Sequence, residues 1–196
     1  MRHLESISWT LRVRWRTWSR AAHASCASGS LLPSPSPDSG GGGNGGSGFI
    51  GSHLVDQILQ HGARDVVVVD NLFTGLEQNL KWALKSGRVS LYKEDAEFSS
   101  SLAYILNKHE IDVTFNCATK ALNYSFINPT NSFSTNVNVV LNLLELQRLG
   151  SFKTLCHFST SEVYGSALYQ PMDEAHPRAP STTYAAGKAA ADLAVE

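Results

Sequence analysis

Beyond residue 45 the chain alternates short apolar runs with segments whose apolar residues return every three or four positions. Ile50, Leu54, Ile58 and Leu59 mark one face of a helix that ends near Gly62. Val66 to Val69 is an unbroken β-branched run closing on Asp70, the pattern of a strand covered on both faces. Val89 to Tyr92 reads as a short strand, and Leu102, Ile105, Leu106 and His109 as a helix face. Val113 to Cys117 is a further strand, followed by a helix from Ser132 to Leu149 that stops at Gly150. Thr154 to Phe158 is the next strand, and Thr183 to Glu196 the last helix. This alternation predicts an α/β fold: a doubly wound parallel sheet with helices on both faces.

Residues 1–44 follow another pattern. Ile7, Trp9, Leu11, Val13 and Trp15 alternate with Ser8, Thr10, Arg12, Arg14 and Arg16, a period of two that suits a half-exposed strand. A serine- and proline-rich stretch, Ser28 to Ser39, then runs into a glycine tract. The expected division is a low-complexity or disordered extension over 1–44 and one folded domain over 45–196. An arginine-rich, acid-poor start is also the composition of an organellar transit peptide, although a period of two fits an amphipathic targeting helix poorly.

Charge and cysteine usage narrow the function. Across 196 residues, 16 basic and 17 acidic side chains give a net charge of -1, with no global pull toward nucleic acid or acidic membranes. Cys26, Cys117 and Cys156 are odd in number and far apart, which argues against a disulfide framework or a metal site. No apolar run approaches the roughly 18 residues of a membrane span. A soluble, cytoplasmic protein is expected, without nucleic-acid, membrane or metal partners.

Gly45-x-x-Gly48-x-x-Gly51 opens the first helix. Glycines so spaced allow a tight turn and close backbone approach to a pyrophosphate, held by the free amides and dipole of the helix start. The tract also offers Gly42-x-x-Gly45-x-x-Gly48, but the periodic helix begun by Phe49 and Ile50 selects the register ending at Gly51. Asp70 ends a strand 19 residues after Gly51, placed to accept from both hydroxyls of a ribose. That favours NAD over its phosphorylated form.

Gly45-Gly46-Ser47-Gly48-Phe49-Ile50-Gly51-Ser52-His53-Leu54, with Val69-Asp70-Asn71-Leu72-Phe73-Thr74-Gly75, resembles the extended short-chain dehydrogenase family. That family comprises nucleotide-sugar epimerases, 4,6-dehydratases and decarboxylases on a Rossmann-like fold. Glu94-Asp95-Ala96, Asn116-Cys117-Ala118-Thr119 and Asn136 extend the likeness. The resemblance implies NAD as cofactor and a nucleotide sugar as substrate. It implies cofactor contacts from Gly45, Gly48, Phe49, Ile50, Gly51, Asp70, Asn71, Asp95, Ala96, Ala118, Tyr184 and Lys188. It also implies a homodimer paired through the helices bearing Asn136 and Tyr184.

Tyr184-Ala185-Ala186-Gly187-Lys188 puts a phenol and an ammonium four residues apart, on one helix face. The cation stabilises a phenolate, so Tyr184 is expected to act as base. Tyr104 and Lys108 share the spacing, but the apolar pattern around them explains that helix without chemistry. What favours Tyr184 is Ser159-Thr160-Ser161-Glu162-Val163-Tyr164-Gly165, directly after an apolar strand whose end opens on the cofactor crevice. The resemblance implies that Thr160 bonds the sugar 4-hydroxyl that Tyr184 deprotonates, while Lys188 binds the nicotinamide ribose. Glu162 corresponds to the carboxylate that removes the carbon 5 proton in 4,6-dehydratases. Ser161 replaces the acid that usually precedes it, an order also similar to GDP-mannose-type dehydratases and sugar-nucleotide decarboxylases. Dehydratase chemistry ranks first, decarboxylation second and 4-epimerisation third. His53, His157, Cys117 and Cys156 read as packing residues, and Ser125, Phe126 and Pro129 fall in the family's substrate loop.

Two features depart from the family pattern. Its glycine turn follows a central apolar strand, yet Pro33 to Ser47 contains no apolar aliphatic or aromatic residue. Ile7–Trp15 suits that slot poorly, because unpaired arginines buried on one face would cost several kcal/mol each. The chain also ends at Glu196, eight residues past Lys188. The sequence therefore reads as truncated at both ends, with the first strand and the sugar-holding part not recognisable. A catalytically silent NAD-binding fragment is the alternative to an enzyme.

Overall fold

The β-branched run Val66–Val69 lies inside a sheet, buried on both faces as its composition demands. The computed structural model describes the backbone of residues 9–15 and all of residues 46–196. Strands β1 (Trp9–Trp15), β2 (Ala63–Asp70), β3 (Val89–Tyr92), β4 (Val113–Asn116) and β5 (Thr154–His157) form one sheet in the order β3-β2-β1-β4-β5. β2 pairs with β3, and β4 with β5, in parallel. Helices α1 (Phe49–Gln60), α2 (Lys81–Lys85), α3 (Ser99–Asn107), α4 (Leu122–Ser125), α5 (Pro129–Arg148) and α6 (Thr183–Val195) connect and cover them.

Successive valines of β2 divide between two cores, as a period of two requires. Val66 and Val68 pack with Val55, Ile58 and Leu59 of α1. Val67 and Val69 pack with Leu102 and Ile105 of α3 and with Val139 and Leu143 of α5. Burying each such side chain contributes roughly 1.5–3 kcal/mol. Both faces of the sheet are thus covered, which is the doubly wound arrangement the alternation of elements predicts.

Helix α5 begins three residues before the expected Ser132. Asn128 caps it by accepting from the Asn131 amide (3.1 Å), and Pro129 stands in the first turn. The apolar period detects the packed face but not this polar start. The expected stop is observed at Gly150, whose φ of 81° lies in the left-handed region that glycine tolerates.

The expectation that Ile7–Trp15 poorly suits the central slot is corrected: β1 occupies the position between β2 and β4. It runs antiparallel to both, with Trp9 opposite Asp70, and Val13 opposite Val66 on one side and Val113 on the other. The sheet is therefore mixed rather than wholly parallel, and a segment of the 1–44 extension belongs to it. Side-chain pattern does not set this slot, because a ladder is made by backbone amides and carbonyls that any non-proline residue supplies.

Candidate active site

The glycine turn and the end of β2 are tied together. Gly48 stands at the N-terminus of α1, whose first turn carries no side-chain cap. The Ser52 amide donates to the Gly48 carbonyl at 3.0 Å, Gly51 is buried, and Phe49 and Ile50 project to the surface. The Ser47 amide (3.2 Å) and hydroxyl both donate to Asp70 Oδ2, and the Leu72 amide donates to Oδ1 at 2.6 Å. Asp70 is completely buried; burial pushes its carboxyl up to about 7, against the downward pull of these donors. Asn71 donates to Asp95 Oδ2 at 2.9 Å across the ends of β2 and β3, and Ala96 beside it is fully buried. Gly45 lies outside the described residues.

The loop after β4 is held from α5. Asn136 Oδ1 accepts from the Thr119 hydroxyl (3.1 Å) and the Lys120 amide (2.9 Å), while its Nδ2 donates to the Lys120 carbonyl (3.3 Å). Ala118, buried in this loop, donates its amide to Asn116 Oδ1 at 3.1 Å. Lys120 is a buried cation absent from the sequence-based site: its ammonium donates to Asn131 Oδ1 and lies 5.5 Å from the Tyr124 ring centroid. No periodicity or spacing singles it out, because only the folded loop turns it inward.

Thr160 caps the short 3-10 turn Ser161–Tyr164, its Oγ1 accepting from the Glu162 amide at 3.3 Å. The turn closes on Gly165 at φ 65°, pinned where the Ala179 amide donates to the Val163 carbonyl (3.1 Å). A Cβ on Gly165 would fall 2.1 Å from the Ala179 carbonyl oxygen, so this position requires glycine on both counts. Tyr164 packs edge-on against His176, 5.6 Å between centroids.

Helix α6 starts at Thr182, which accepts from the Ala185 amide at 3.1 Å. It carries Tyr184 and Lys188 into the interior, 8% and 3% exposed. Gly187, between them, permits the close crossing of α5: an added Cβ would lie 3.1 Å from the Cα and carbonyl oxygen of Phe133. Lys188 Nζ donates to the Phe158 carbonyl, which joins α6 to the segment entering the Thr160 turn. Burial pulls Lys188 down to about 8, opposed by the nearby Asp192 carboxylate. The structure thus brings Lys188 against the strand that delivers Thr160 and Glu162. Among the described residues, neither of those two is hydrogen-bonded to Tyr184.

His157 is buried, as the strand pattern implies, but it is more than packing: Asn116 Nδ2 lies 3.0 Å from its Nδ1 and Lys188 Nζ 3.3 Å from its Nε2. Asp192, also missed, stands four residues after Lys188; that helical spacing was the available signal. Burial holds the Cys117 thiol up at about 12, which suits the reading of a small core residue. No group of three metal-ligating side chains forms among the described residues.

Residues 44–196 match the family model of GDP-mannose 4,6 dehydratase. UDP-glucuronic acid decarboxylase 3 of Arabidopsis thaliana is 37% identical over 134 residues, covering 67% of this chain and 36% of that protein. UDP-glucose 4-epimerase of Mus musculus is 32% identical over 141 residues, covering 67% of this chain and 40% of that protein. Among solved structures, the dTDP-glucose 4,6-dehydratase DesIV of Streptomyces venezuelae, with NAD and TYD bound, superposes with a TM-score of 0.70. It is 32% identical, the match covering 76% of this chain and 48% of that one. The chain therefore spans between a third and a half of the length of these relatives. Motifs, fold and relatives agree that the chain belongs to the extended short-chain dehydrogenase family of nucleotide-sugar epimerases and dehydratases, through the part that the GDP-mannose 4,6 dehydratase family model describes.

Proposed function

We propose that this chain carries the NAD-binding half of a nucleotide-sugar 4,6-dehydratase-type enzyme. The observation that carries the reading is the burial of Tyr184 and Lys188 on one face of α6, with Lys188 bonded to the strand end that presents the Thr160–Tyr164 turn. The residues fit a dinucleotide: α1 opens without a side-chain cap, so the amides after Gly48 are available to a pyrophosphate. Gly45, Gly48, Phe49, Ile50 and Gly51 would line the phosphates, Asp70 and Asn71 the adenosine ribose, and Asp95 and Ala96 the adenine. Ala118, Tyr184 and Lys188 would line the nicotinamide end. For Asp70 to accept ribose hydroxyls, the Ser47 hydroxyl must turn away from Oδ2.

Bound NAD would supply the hydride acceptor for oxidation at carbon 4 of the sugar. Thr160 holds the 4-hydroxyl, Tyr184 accepts its proton at the phenolic oxygen, and Lys188 stabilises the phenolate and grips the nicotinamide ribose. Glu162 then removes the proton at carbon 5, which the new ketone has acidified, and the carbon 6 hydroxyl leaves as water; return of the hydride to carbon 6, with a proton to carbon 5, would complete a net loss of water. The Thr160-Ser161-Glu162 order and the decarboxylase relatives support a second reading, loss of carbon dioxide from a 4-keto uronate. The two differ in product mass: incubation with dTDP-glucose or GDP-mannose should yield loss of water, and UDP-glucuronate loss of carbon dioxide. NAD binding measured by calorimetry, without turnover of any of these substrates, would identify a silent cofactor-binding fragment. Absence of NAD binding would defeat both enzymatic readings and the fragment.

The apolar stripe Phe133, Val137 and Leu141 on the outer side of α5, with Phe133 and Leu141 exposed, supports pairing of two copies through α5 and α6. Among the described residues no helix is long and apolar enough to cross a membrane.

A further inference from the structure

The polar groups behind Lys188 form a chain whose direction is set at one end. The Ala118 amide donates to Asn116 Oδ1 (3.1 Å), which turns Asn116 Nδ2 toward His157 Nδ1, 3.0 Å away. An amide nitrogen donates only, so Nδ1 accepts and the single proton of the neutral imidazole sits on Nε2. Burial, reinforced by Lys188, pushes His157 down to about 3, which keeps it neutral. Beside Nε2 stand Lys188 Nζ at 3.3 Å and Asp192 Oδ1 at 3.5 Å. An imidazole N–H and an ammonium cannot donate to each other; Asp192, with Oδ1 3.5 Å from Nε2, is the carboxylate nearest this pair and acts on Lys188 through its charge rather than through an ion-pair contact. Its other oxygen, Oδ2, accepts from the Ser159 hydroxyl.

We infer that Asp192 is a positioning residue for Lys188: its carboxylate, held by Ser159 beside the His157 ring, acts through its charge to keep the buried ammonium protonated on the Tyr184 face of α6. The inference rests on the reading of Tyr184 and Lys188 as the catalytic pair. The groups facing Lys188 are His157 of β5, Asp192 and Tyr184 of α6, and Cys117 after β4, with Cys156 of β5 beside it. Of these, Asp192 alone brings a negative charge at neutral pH, since burial holds Cys117 at about 12. Without it, the buried ammonium has two neutral neighbours, the Phe158 carbonyl and an imidazole whose proton points at it.

Nitrogen-15 NMR of the full chain tests the arrangement directly. The His157 ring is expected as the Nε2–H tautomer across neutral pH, and the Nδ1–H tautomer would overturn the inference. The Lys188 Nζ signal, followed against pH, should titrate about one unit lower in Asp192→Asn than in the wild type, with Asp192→Glu restoring part of the shift. An unchanged titration in Asp192→Asn would likewise overturn it. NAD affinity supplies the functional readout: nearly equal for wild type and Asp192→Asn at pH 6, and about fivefold weaker in the variant at pH 8. If the wild type binds no NAD, the cofactor reading fails, while the tautomer and the lysine titration still decide the role of Asp192.

Discussion

Burial leaves Asp70 at about 7, well above its ordinary 3.8, and this has a sign that can be measured. A carboxyl raised in the native state holds a proton there that the unfolded chain has released. Its stabilising contribution is complete below pH 3.8 and is lost as pH rises to about 7. Compared with Asp70→Asn, the wild type should lose up to about 1.4 kcal/mol per pH unit across that window, read from denaturant midpoints. NAD affinity should rise through the same window, because only the ionised carboxylate accepts two ribose hydroxyls. At Tyr184, replacement by Phe removes the proton acceptor but not the packing; turnover should fall by about 10²–10⁴, with NAD affinity nearly unchanged. A parallel loss of NAD binding would show that the Tyr184 hydroxyl serves to hold the cofactor or the fold rather than to move the proton. The Tyr-x-x-x-Lys spacing, taken with the Ser159–Gly165 segment, pointed to both residues of the candidate site, whereas Tyr104 and Lys108 share the spacing without that segment. Asp192 was equally visible four positions on, but nothing linear showed that His157 of another strand would meet it.

Two glycines govern how the elements meet. Gly187 lets α6 cross α5 closely, and Gly187→Val would push on the Phe133 backbone, 3.1 Å from the first added carbon. Thermal unfolding should show a loss of about 1–3 kcal/mol, the usual cost of overpacking, along with weaker NAD binding as Lys188 moves. Gly165 closes the turn that carries Glu162. Gly165→Ala adds left-handed strain of about 1–2 kcal/mol to a collision with the Ala179 carbonyl. The turn should detach from Ala179, lowering turnover more than NAD affinity; unchanged kinetics would show that its position does not matter. Apolar period located α1, α3, α5 and α6 because each buries one stripe. The start of α5 escaped it, since a polar first turn capped by Asn128 carries no such stripe.

The whole sheet depends on a segment remote in sequence from its neighbours. β1 supplies ladder partners to both β2 and β4 and so joins the two parallel pairs. Val13→Pro removes a backbone donor at the residue opposite both Val66 and Val113. Amides of β2 and β4 should then exchange faster, by about 1 kcal/mol of protection for each ladder bond lost. Unaltered protection would show that the two pairs are joined without β1. This strand was legible as a strand, from its period of two, and not in its place.

The sequence alone determined what depends on neighbours along the chain. Strand and helix identity, the glycine turn, the acid closing β2 and the Tyr184–Lys188 face all follow from periodicity and spacing, because local geometry converts them directly into shared faces. Only the tertiary structure decided the direction and slot of β1, the capture of Asp70 by Ser47, the inward turn of Lys120 and the meeting of His157 with Asp192. Those arise from backbone pairing and burial between distant segments, whose energies do not depend on separation along the chain and leave no pattern within it.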